Sequence, residues 1–160
     1  MMVTRVFIHG LEGSSQGDKG SFFRERYPGM IVEDYVGNFE VRMAKLNTVL
    51  ADKDDLILVG SSFGGLMAAF FACHNVARTR KLILLAPALN YLPPDVCGAR
   101  GPDFPVIIYH GRQDDIVLPG PVLDIAQGLF RNLTYHPVDD EHSLHRTFFS
   151  LDWDALLYEY

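Results

Sequence analysis

A serine between two glycines is the most promising site of chemistry in this sequence. Ser62 lies two residues from Gly60 and two from Gly64, directly after the apolar residues 56–59 and just before a second apolar stretch, residues 66–72. A buried strand, a sharp turn centred on one serine and an apolar helix form a nucleophile elbow. Glycines are needed beside the serine because side chains there would clash across the turn. We therefore predict that Ser62 is a nucleophile.

A second Gly-x-Ser-x-Gly match lies at residues 13–17 and centres on Ser15. Three residues separate it from the first predicted strand, and the polar residues Asp18 and Lys19 follow it in place of an apolar helix. Such a motif carries its mechanism only in the structural context that the mechanism needs. We therefore interpret residues 13–17 as a loop.

A nucleophilic serine needs a base, and the base needs a carboxylate that orients its ring. Asp114 and Asp115 follow the fifth predicted strand, and either could supply the carboxylate. His142 lies closest to the end of the sixth predicted strand, with His145 as the alternative base. The resulting chain order of serine, acid and histidine is the one found in hydrolases built on a parallel sheet. We predict His142 as the base and expect the other histidines to be structural or exposed.

Attack on a carbonyl creates a negative oxygen that fixed N–H groups must stabilise. One donor is usually the amide after the nucleophile, and the other comes from an early strand loop. We assign the donors to the backbone N–H groups of Phe63 and Leu11, the latter in a loop that begins with His9 and Gly10. Phe63 also begins the predicted helix, whose N-terminus favours negative charge. The alternative is that His9 and Gly10 form only a tight turn.

Runs rich in valine, isoleucine and leucine alternate with helical segments, which is typical of an α/β fold with a mostly parallel sheet covered on both faces. The predicted strands are residues 3–9, 30–34, 56–60, 81–85, 106–110 and 133–138. The predicted helices are residues 19–27, 40–51, 63–74, 121–130, 142 or 143 to 149, and 153–158. In the second helix, apolar side chains at positions 41, 44, 46 and 49 would be buried and Arg42 would face water. The candidate loops all follow strands, where open parallel sheets place their ligands.

The chain has 160 residues, 48% hydrophobic and 21% charged, which indicates one globular domain over residues 1–160. A formal net charge of -6 without a basic run argues against a nucleic-acid partner. No apolar stretch approaches the ~18 residues that cross a bilayer, and no signal peptide is recognised, so we expect a cytoplasmic protein without a membrane partner. No motif indicates a nucleotide, another cofactor or a metal. Cys73 and Cys97 fit neither a disulfide framework nor a metal pair, and Cys73 is expected to be a small buried side chain.

With these sites in order, the chain resembles the α/β-hydrolase superfamily over nearly its whole length. The resemblance rests on His9-Gly10, on the elbow at residues 60–65, on His-Gly-x-x-Asp at residues 110–114 and on Asp-x-x-His at residues 139–142. The spacing of the acid loop favours Asp114 over Asp115. The short length and residues 9–15 are similar to those of the small bacterial YqiA-type esterases. The chain departs from the larger superfamily in that we expect no large cap, because only residues 86–105, with five prolines, stand where caps are commonly inserted.

These features predict a serine hydrolase that cleaves small carboxylic esters through an acyl-enzyme on Ser62. His142 would take the hydroxyl proton, and Asp114 would orient the imidazole. The small lid predicts an open pocket and a preference for short acyl chains. Two alternatives stay open: a thioesterase or peptidase with the same residues, or a binding protein that retains the hydrolase scaffold. The oligomeric state is not indicated.

Overall fold

The computed structural model describes residues 2–159, in which six strands form one parallel sheet. The strands are β1 (Thr4–Ile8), β2 (Ile31–Val32), β3 (Leu56–Ser61), β4 (Thr79–Leu85), β5 (Val106–Gly111) and β6 (Leu133–Val138). Their order across the sheet is β2-β1-β3-β4-β5-β6. The direction of winding reverses between β1 and β3, and open α/β sheets bind their ligands beyond the strand ends at such a point. The prediction of an α/β fold with a mostly parallel sheet of about six strands is confirmed.

Six α-helices cover the two faces of the sheet. They are α1 (Asp18–Arg26), α2 (Phe39–Val49), α3 (Phe63–His74), α4 (Pro119–Leu129), α5 (His145–Ser150) and α6 (Trp153–Tyr158). Helices α2, α3 and α4 pack on one face, and α1, α5 and α6 pack on the other. Alternate side chains of a strand enter opposite layers, so that Leu58 of β3 lies in the first core and Val59 in the second. None of the helices within residues 2–159 is both long and apolar enough to cross a membrane.

An aromatic cluster fixes the C-terminal helices to the sheet. The fully buried ring of Phe23 in α1 has its centroid 5.0 Å from that of Phe7, 5.4 Å from that of Phe148 and 4.9 Å from that of Trp153. The Trp153 indole also donates a hydrogen bond to the Phe148 carbonyl. Aromatic pairs in these edge-on and tilted arrangements stabilise a core beyond their buried area. The cluster therefore holds α5 in place, and with it the loop between β6 and α5.

The buried face of α2 differs from the predicted one. Arg42, Met43 and Leu46 are buried, whereas Val41 is 56% exposed. The Arg42 Nε donates to the Gly37 carbonyl at 2.8 Å, and its guanidinium lies 5.4 Å from the Phe63 ring centroid. Arg42 is therefore buried because the preceding loop and an aromatic ring accept its head group. The prediction that it faces water was wrong.

The two cysteines form a disulfide, which the sequence did not predict. Cys73 lies at the end of α3, and Cys97 lies in the connection between β4 and β5, with their Cα atoms 4.8 Å apart. The expectation that Cys73 is simply a small buried side chain was wrong. The pairing depends on how the irregular connection between β4 and β5 folds back across the end of α3. The hydrophobic pattern of the sequence does not predict this path.

Candidate active site

Ser62 occupies a strained turn between β3 and α3. Its backbone angles are φ 56° and ψ -115°, a region that residues with side chains rarely adopt. A Cβ added to Gly60 would lie 2.4 Å from the Gly64 carbonyl oxygen, and one added to Gly64 would lie 2.1 Å from the Ile8 carbonyl oxygen. Both glycines are therefore required, as the sequence pattern indicated.

A continuous hydrogen-bonded chain joins Ser62, His142 and Asp114. The Ser62 Oγ lies 2.9 Å from His142 Nε2, and His142 Nδ1 lies 2.7 Å from Asp114 Oδ2. A carboxylate only accepts, so Nδ1 carries a proton, and Nε2 of the neutral ring accepts from the serine hydroxyl. The Asp114 side chain is fully buried, whereas that of His142 is 20% exposed. The three residues come from the ends of β3, β5 and β6 and meet at one edge of the sheet.

The Asp114 carboxylate is held by donors on both oxygens. Its Oδ1 accepts from the N–H groups of Ile116 and Val117 at 2.9 and 2.8 Å. Its Oδ2 accepts from His142 and also lies 3.2 Å from His110 Nε2. These contacts remove the rotational freedom of the carboxylate, so that one oxygen stays aimed at the His142 ring.

His110 is a second histidine in contact with Asp114. Its fully buried Nε2 donates to the Val117 carbonyl at 2.8 Å, while its Nδ1 has no hydrogen-bond partner among residues 2–159. Burial lowers the pKa of His110 below its usual value of 6.5, so the ring is neutral at physiological pH. The sequence placed His110 among the structural or exposed histidines, and it is buried. Its position four residues before Asp114, at the end of β5, was the signal that it touches the carboxylate.

Within residues 2–159, none of the alternative residues forms a hydrogen bond with Ser62. Asp115 is exposed. The His145 side chain is 67% exposed and lies 3.6 Å from Asp18. Ser15 is buried, and its N–H and hydroxyl both donate to the Asp34 carboxylate, at 2.7 and 3.0 Å. Within residues 2–159, no group of histidine, cysteine, aspartate and glutamate side chains is arranged to hold a metal ion.

The loop after β1 is fixed beside Ser62 by His9. The Tyr35 N–H donates to His9 Nε2 at 2.9 Å, so His9 Nδ1 carries the proton and donates to the Gly10 carbonyl at 2.6 Å. The Gly13 N–H also donates to this carbonyl, at 3.2 Å. In a trans peptide the next N–H, that of Leu11, points opposite to the carbonyl. The bonds to the Gly10 oxygen therefore fix the direction of the Leu11 N–H.

The backbone N–H groups of Leu11 and Phe63 are free to bind a ligand. Neither forms a hydrogen bond within residues 2–159. A Cβ added to Gly10 would lie 3.3 Å from the Ser62 Cβ and 3.8 Å from the Phe63 nitrogen, so the loop before Leu11 passes directly beside the elbow. The two unpaired N–H groups therefore lie in the loop after β1 and at the start of α3. These segments follow β1 and β3, the neighbouring strands between which the direction of winding reverses.

An apolar pocket of about 390 Å³ begins at these two residues. Phe63, Leu66 and Phe70 form one wall, and their spacing of three and four residues places them on one face of α3. Within residues 2–159 the lining consists of residues without charge: Leu11, Phe39, Phe63, Leu66, Phe70, Tyr91 and Pro93. A more open depression of about 500 Å³ lies over the loop around His142, but its lining is polar and charged and includes neither Leu11 nor Phe63. The apolar pocket is therefore the better candidate for substrate.

Comparison with known proteins shows what this arrangement is similar to. No family model matches the chain, and no curated protein matches it significantly. A hydrolase of the alpha/beta superfamily from Xanthomonas campestris aligns with 92% of this chain and 91% of its own, with 24% identity and a TM-score of 0.73. The chain has the α/β-hydrolase fold. Alpha/beta hydrolase domain-containing protein 10 from mouse, which shares this fold, is 20% identical over 88% of this chain and 82% of its own, with a TM-score of 0.71.

A third structure with the α/β-hydrolase fold is Est1E from Butyrivibrio proteoclasticus. It is 19% identical over 87% of this chain and 79% of its own, with a TM-score of 0.71. The predicted resemblance to the α/β-hydrolase superfamily is thus confirmed in its fold. The narrower resemblance to YqiA-type esterases stays a prediction.

Proposed function

We propose that this protein is a serine hydrolase that cleaves carboxylic esters. The observation that carries the proposal is the hydrogen-bonded chain from Ser62 through His142 to Asp114 beside two free amides. Two similar structures are consistent with it: Est1E with bound ferulic acid, and a monoacylglycerol lipase from Paleococcus ferrophilus, 14% identical with a TM-score of 0.65. The lining of the pocket supports an apolar acyl group as the part of the ester that enters it.

In the first half of the reaction, the Ser62 oxygen attacks the acyl carbon while His142 Nε2 takes the hydroxyl proton. The N–H groups of Leu11 and Phe63 stabilise the negative oxygen of the tetrahedral intermediate. The intermediate then expels the alcohol, which receives the proton from Nε2, and an acyl group stays on Ser62. Asp114 holds the ring in the tautomer that can accept and return the proton.

In the second half, a water molecule gives a proton to His142 and attacks the acyl carbon. The intermediate collapses, Ser62 recovers its proton from His142, and the carboxylic acid leaves. Thioesters and amides pass through similar intermediates, so the proposed residues would also serve a thioesterase or a peptidase. Esters are our first choice over amides because an alcohol leaves the tetrahedral intermediate with less help from a proton donor than an amine does, and a substrate profile separates the three classes.

The proposal is tested by covalent labelling with a fluorophosphonate, followed by peptide mass spectrometry. We expect one label on Ser62, lost in Ser62→Ala and strongly reduced in His142→Ala. The matched controls are Ser15→Ala and His145→Ala, which change the alternative serine and histidine and should label normally. p-Nitrophenyl butyrate should be hydrolysed by the wild type and by both controls. Labelling that persists in Ser62→Ala, or no turnover of any ester, thioester or amide, would reject the proposal, and the latter result favours a binding protein.

A further inference from the structure

The two walls of the apolar pocket are built differently. One wall is the α3 face with Phe63, Leu66 and Phe70, which belongs to the buried core layer. The other side is lined by Leu11 and Phe39 and by Tyr91 and Pro93, two exposed residues in the connection of residues 86–105. The shape of the pocket therefore depends on what holds this connection against α3.

Hydrogen bonds anchor only the first part of the connection to the catalytic region. The Ala88 N–H donates to the Ser62 carbonyl at 3.0 Å, which ties the start of the connection to the elbow. Farther along, the hydrogen bonds of residues 93–100 all lie within that stretch, as far as residues 2–159 are concerned. Leu92, Val96 and Cys97 contribute apolar contacts to the core layer. Among the described residues, polar contacts thus leave residues 93–100 without an anchor to the rest of the protein.

The disulfide supplies the missing anchor, and it joins the two walls of the pocket. Cys73 lies three residues after Phe70 on α3, so both side chains lie on the same side of the helix. Cys97 lies four residues after Pro93. The bond therefore fixes the distance between the far end of the α3 wall and the connection that carries Tyr91 and Pro93.

We propose that the Cys73–Cys97 disulfide sets the acyl-chain selectivity of the pocket, and that its reduction by a dithiol lowers the preference for longer apolar acyl groups. This inference rests on the proposed ester hydrolase function and adds the element that determines specificity. A short acyl chain fills only the part of the pocket near Phe63. A longer chain extends along α3 towards Phe70, roughly 10 Å farther on, where it meets the wall that the disulfide holds.

The reduction is an ordinary thiol–disulfide exchange. A thiolate of the dithiol attacks one sulfur of the Cys73–Cys97 bond and forms a mixed disulfide, while the other cysteine leaves as a thiolate and takes a proton. The second thiol then displaces the first cysteine, so the dithiol is oxidised to a disulfide and the protein gains two electrons and two protons. Cys73 is only half-buried, which gives a reductant access from its side.

Such a bond would respond to the compartment of the protein. Cytoplasmic thiols are kept reduced by glutathione and thioredoxin, whereas disulfides persist in oxidising compartments. In the cytoplasm, which we expect from the sequence, the reduced form would predominate and oxidation would tighten the pocket. The same enzyme would then hydrolyse longer esters more efficiently under oxidising conditions.

The experiment compares kcat/KM for p-nitrophenyl acetate and p-nitrophenyl octanoate before and after treatment with dithiothreitol. We expect the octanoate-to-acetate ratio to fall by about tenfold on reduction, because several methylene contacts are weakened, while acetate turnover changes by less than about twofold. The Cys73→Ser/Cys97→Ser double variant should have the low ratio without reductant, and dithiothreitol should not change it further. Thermal unfolding of each form shows whether the protein stays folded.

The inference would be overturned if the octanoate-to-acetate ratio were equal in the oxidised protein and in reduced protein in which two thiols have been titrated. This result would leave the ester hydrolase function intact, because the esters would still be hydrolysed. Finding two free thiols in protein purified under air would also overturn it. Calorimetric binding of octanoic acid to Ser62→Ala provides a measurement that needs no catalysis. Weaker binding after reduction, in a protein that hydrolyses no ester, would support the role of the disulfide while rejecting the ester hydrolase function.

Discussion

The nucleophile elbow and the connection of residues 86–105 lie on either side of the same pocket, yet they are constructed in opposite ways. At the elbow, backbone atoms of β1, β3 and α3 approach so closely that Gly60 and Gly64 have no room for a side chain. In the connection, the mostly exposed residues 93–100 form only local hydrogen bonds among the described residues and are tied to α3 by one disulfide. The elbow is determined by close packing of the sheet, whereas residues 93–100 are joined to the rest of the protein by a few apolar contacts and one covalent bond.

The difference in construction matches a difference in role: the elbow serves the chemical reaction, and the connection serves the selection of substrate. Proton transfer between Ser62, His142 and Asp114 depends on distances that a small displacement would spoil, so these residues follow the ends of strands that the sheet holds in register. A pocket for an apolar group depends on shape and tolerates more movement. We therefore expect substitutions at the elbow to abolish activity and substitutions in the connection to change which esters are preferred.

The largest effect is expected for Asp114→Asn. An asparagine side chain carries an NH2 donor as well as an acceptor, so it can hold the His142 ring in the wrong tautomer. We therefore expect kcat to fall on the order of 10⁴-fold. The adjacent Asp115→Asn variant is the matched control, because that side chain is exposed, and it should keep kcat within about twofold of the wild type. Steady-state hydrolysis of p-nitrophenyl butyrate measures both. Equal losses in the two variants would contradict the assignment of the carboxylate.

The elbow itself is tested by Gly64→Ala. The added methyl would meet the backbone oxygens of Ile8 and His9 at 2.1 and 2.5 Å, so β1 and α3 must move apart, and we expect the free energy of unfolding to fall by about 4 kcal/mol. Gly128→Ala is the control, because Gly128 lies in α4 with nothing within 4 Å of an added Cβ. It should stabilise the protein by up to about 1 kcal/mol. Urea unfolding compares the two, and a neutral Gly64→Ala would show that the packing at the elbow is looser than described.

The connection is tested by the stability of the Cys73→Ser/Cys97→Ser variant. The disulfide closes a loop over a sequence separation of 24 residues, and the loss of such a cross-link should lower the free energy of unfolding by about 3 kcal/mol. Turnover of p-nitrophenyl acetate should be retained, because the catalytic residues lie on other elements. Denaturant unfolding with and without reductant provides the measurement. A variant that lost acetate turnover while still folded would show that the connection also positions the catalytic residues.

The smallest effect concerns the dependence of stability on pH. Burial lowers the pKa of His110 in the folded protein, so below pH 6.5 the unfolded chain binds a proton that the folded protein does not. Stability should therefore fall as the pH decreases below that value. In His110→Gln, which keeps a donor for the Val117 carbonyl, this part of the decrease should disappear. Urea unfolding at pH 7.5 and pH 5.5 measures it, and an identical decrease in both proteins would show that His110 does not contribute.

The parts of the fold that the sequence predicted are those with a local cause. The central strands are continuous apolar runs because both faces of each strand are covered. The elbow after β3 was recognised because Gly60 and Gly64 indicate that backbone segments approach each other closely there. The loops at the ends of β5 and β6 contain Asp114 and His142 at the expected places. The hydrogen bonds between these residues stay beyond sequence reasoning, because they depend on the register and twist of the whole sheet.

The parts that the sequence did not predict have causes distant in the chain. Arg42 is buried because its head group contacts the Gly37 carbonyl and the Phe63 ring. The helical pattern alone predicts an arginine that is exposed to water. The disulfide depends on the path of an irregular connection. The lining of the apolar pocket was not predicted either, although the spacing of Phe63, Leu66 and Phe70 on α3 was a signal that could have been used.

The most direct measurement is the trapping of the acyl-enzyme during turnover. Rapid acid quenching of the enzyme with p-nitrophenyl acetate, followed by peptide mass spectrometry, should find an acetyl group on Ser62, formed in step with a burst of p-nitrophenol equal to the enzyme concentration. Turnover without a covalent intermediate, or an acetyl group that accumulates on another residue while Ser62 stays free, would contradict the role of Ser62 as the nucleophile.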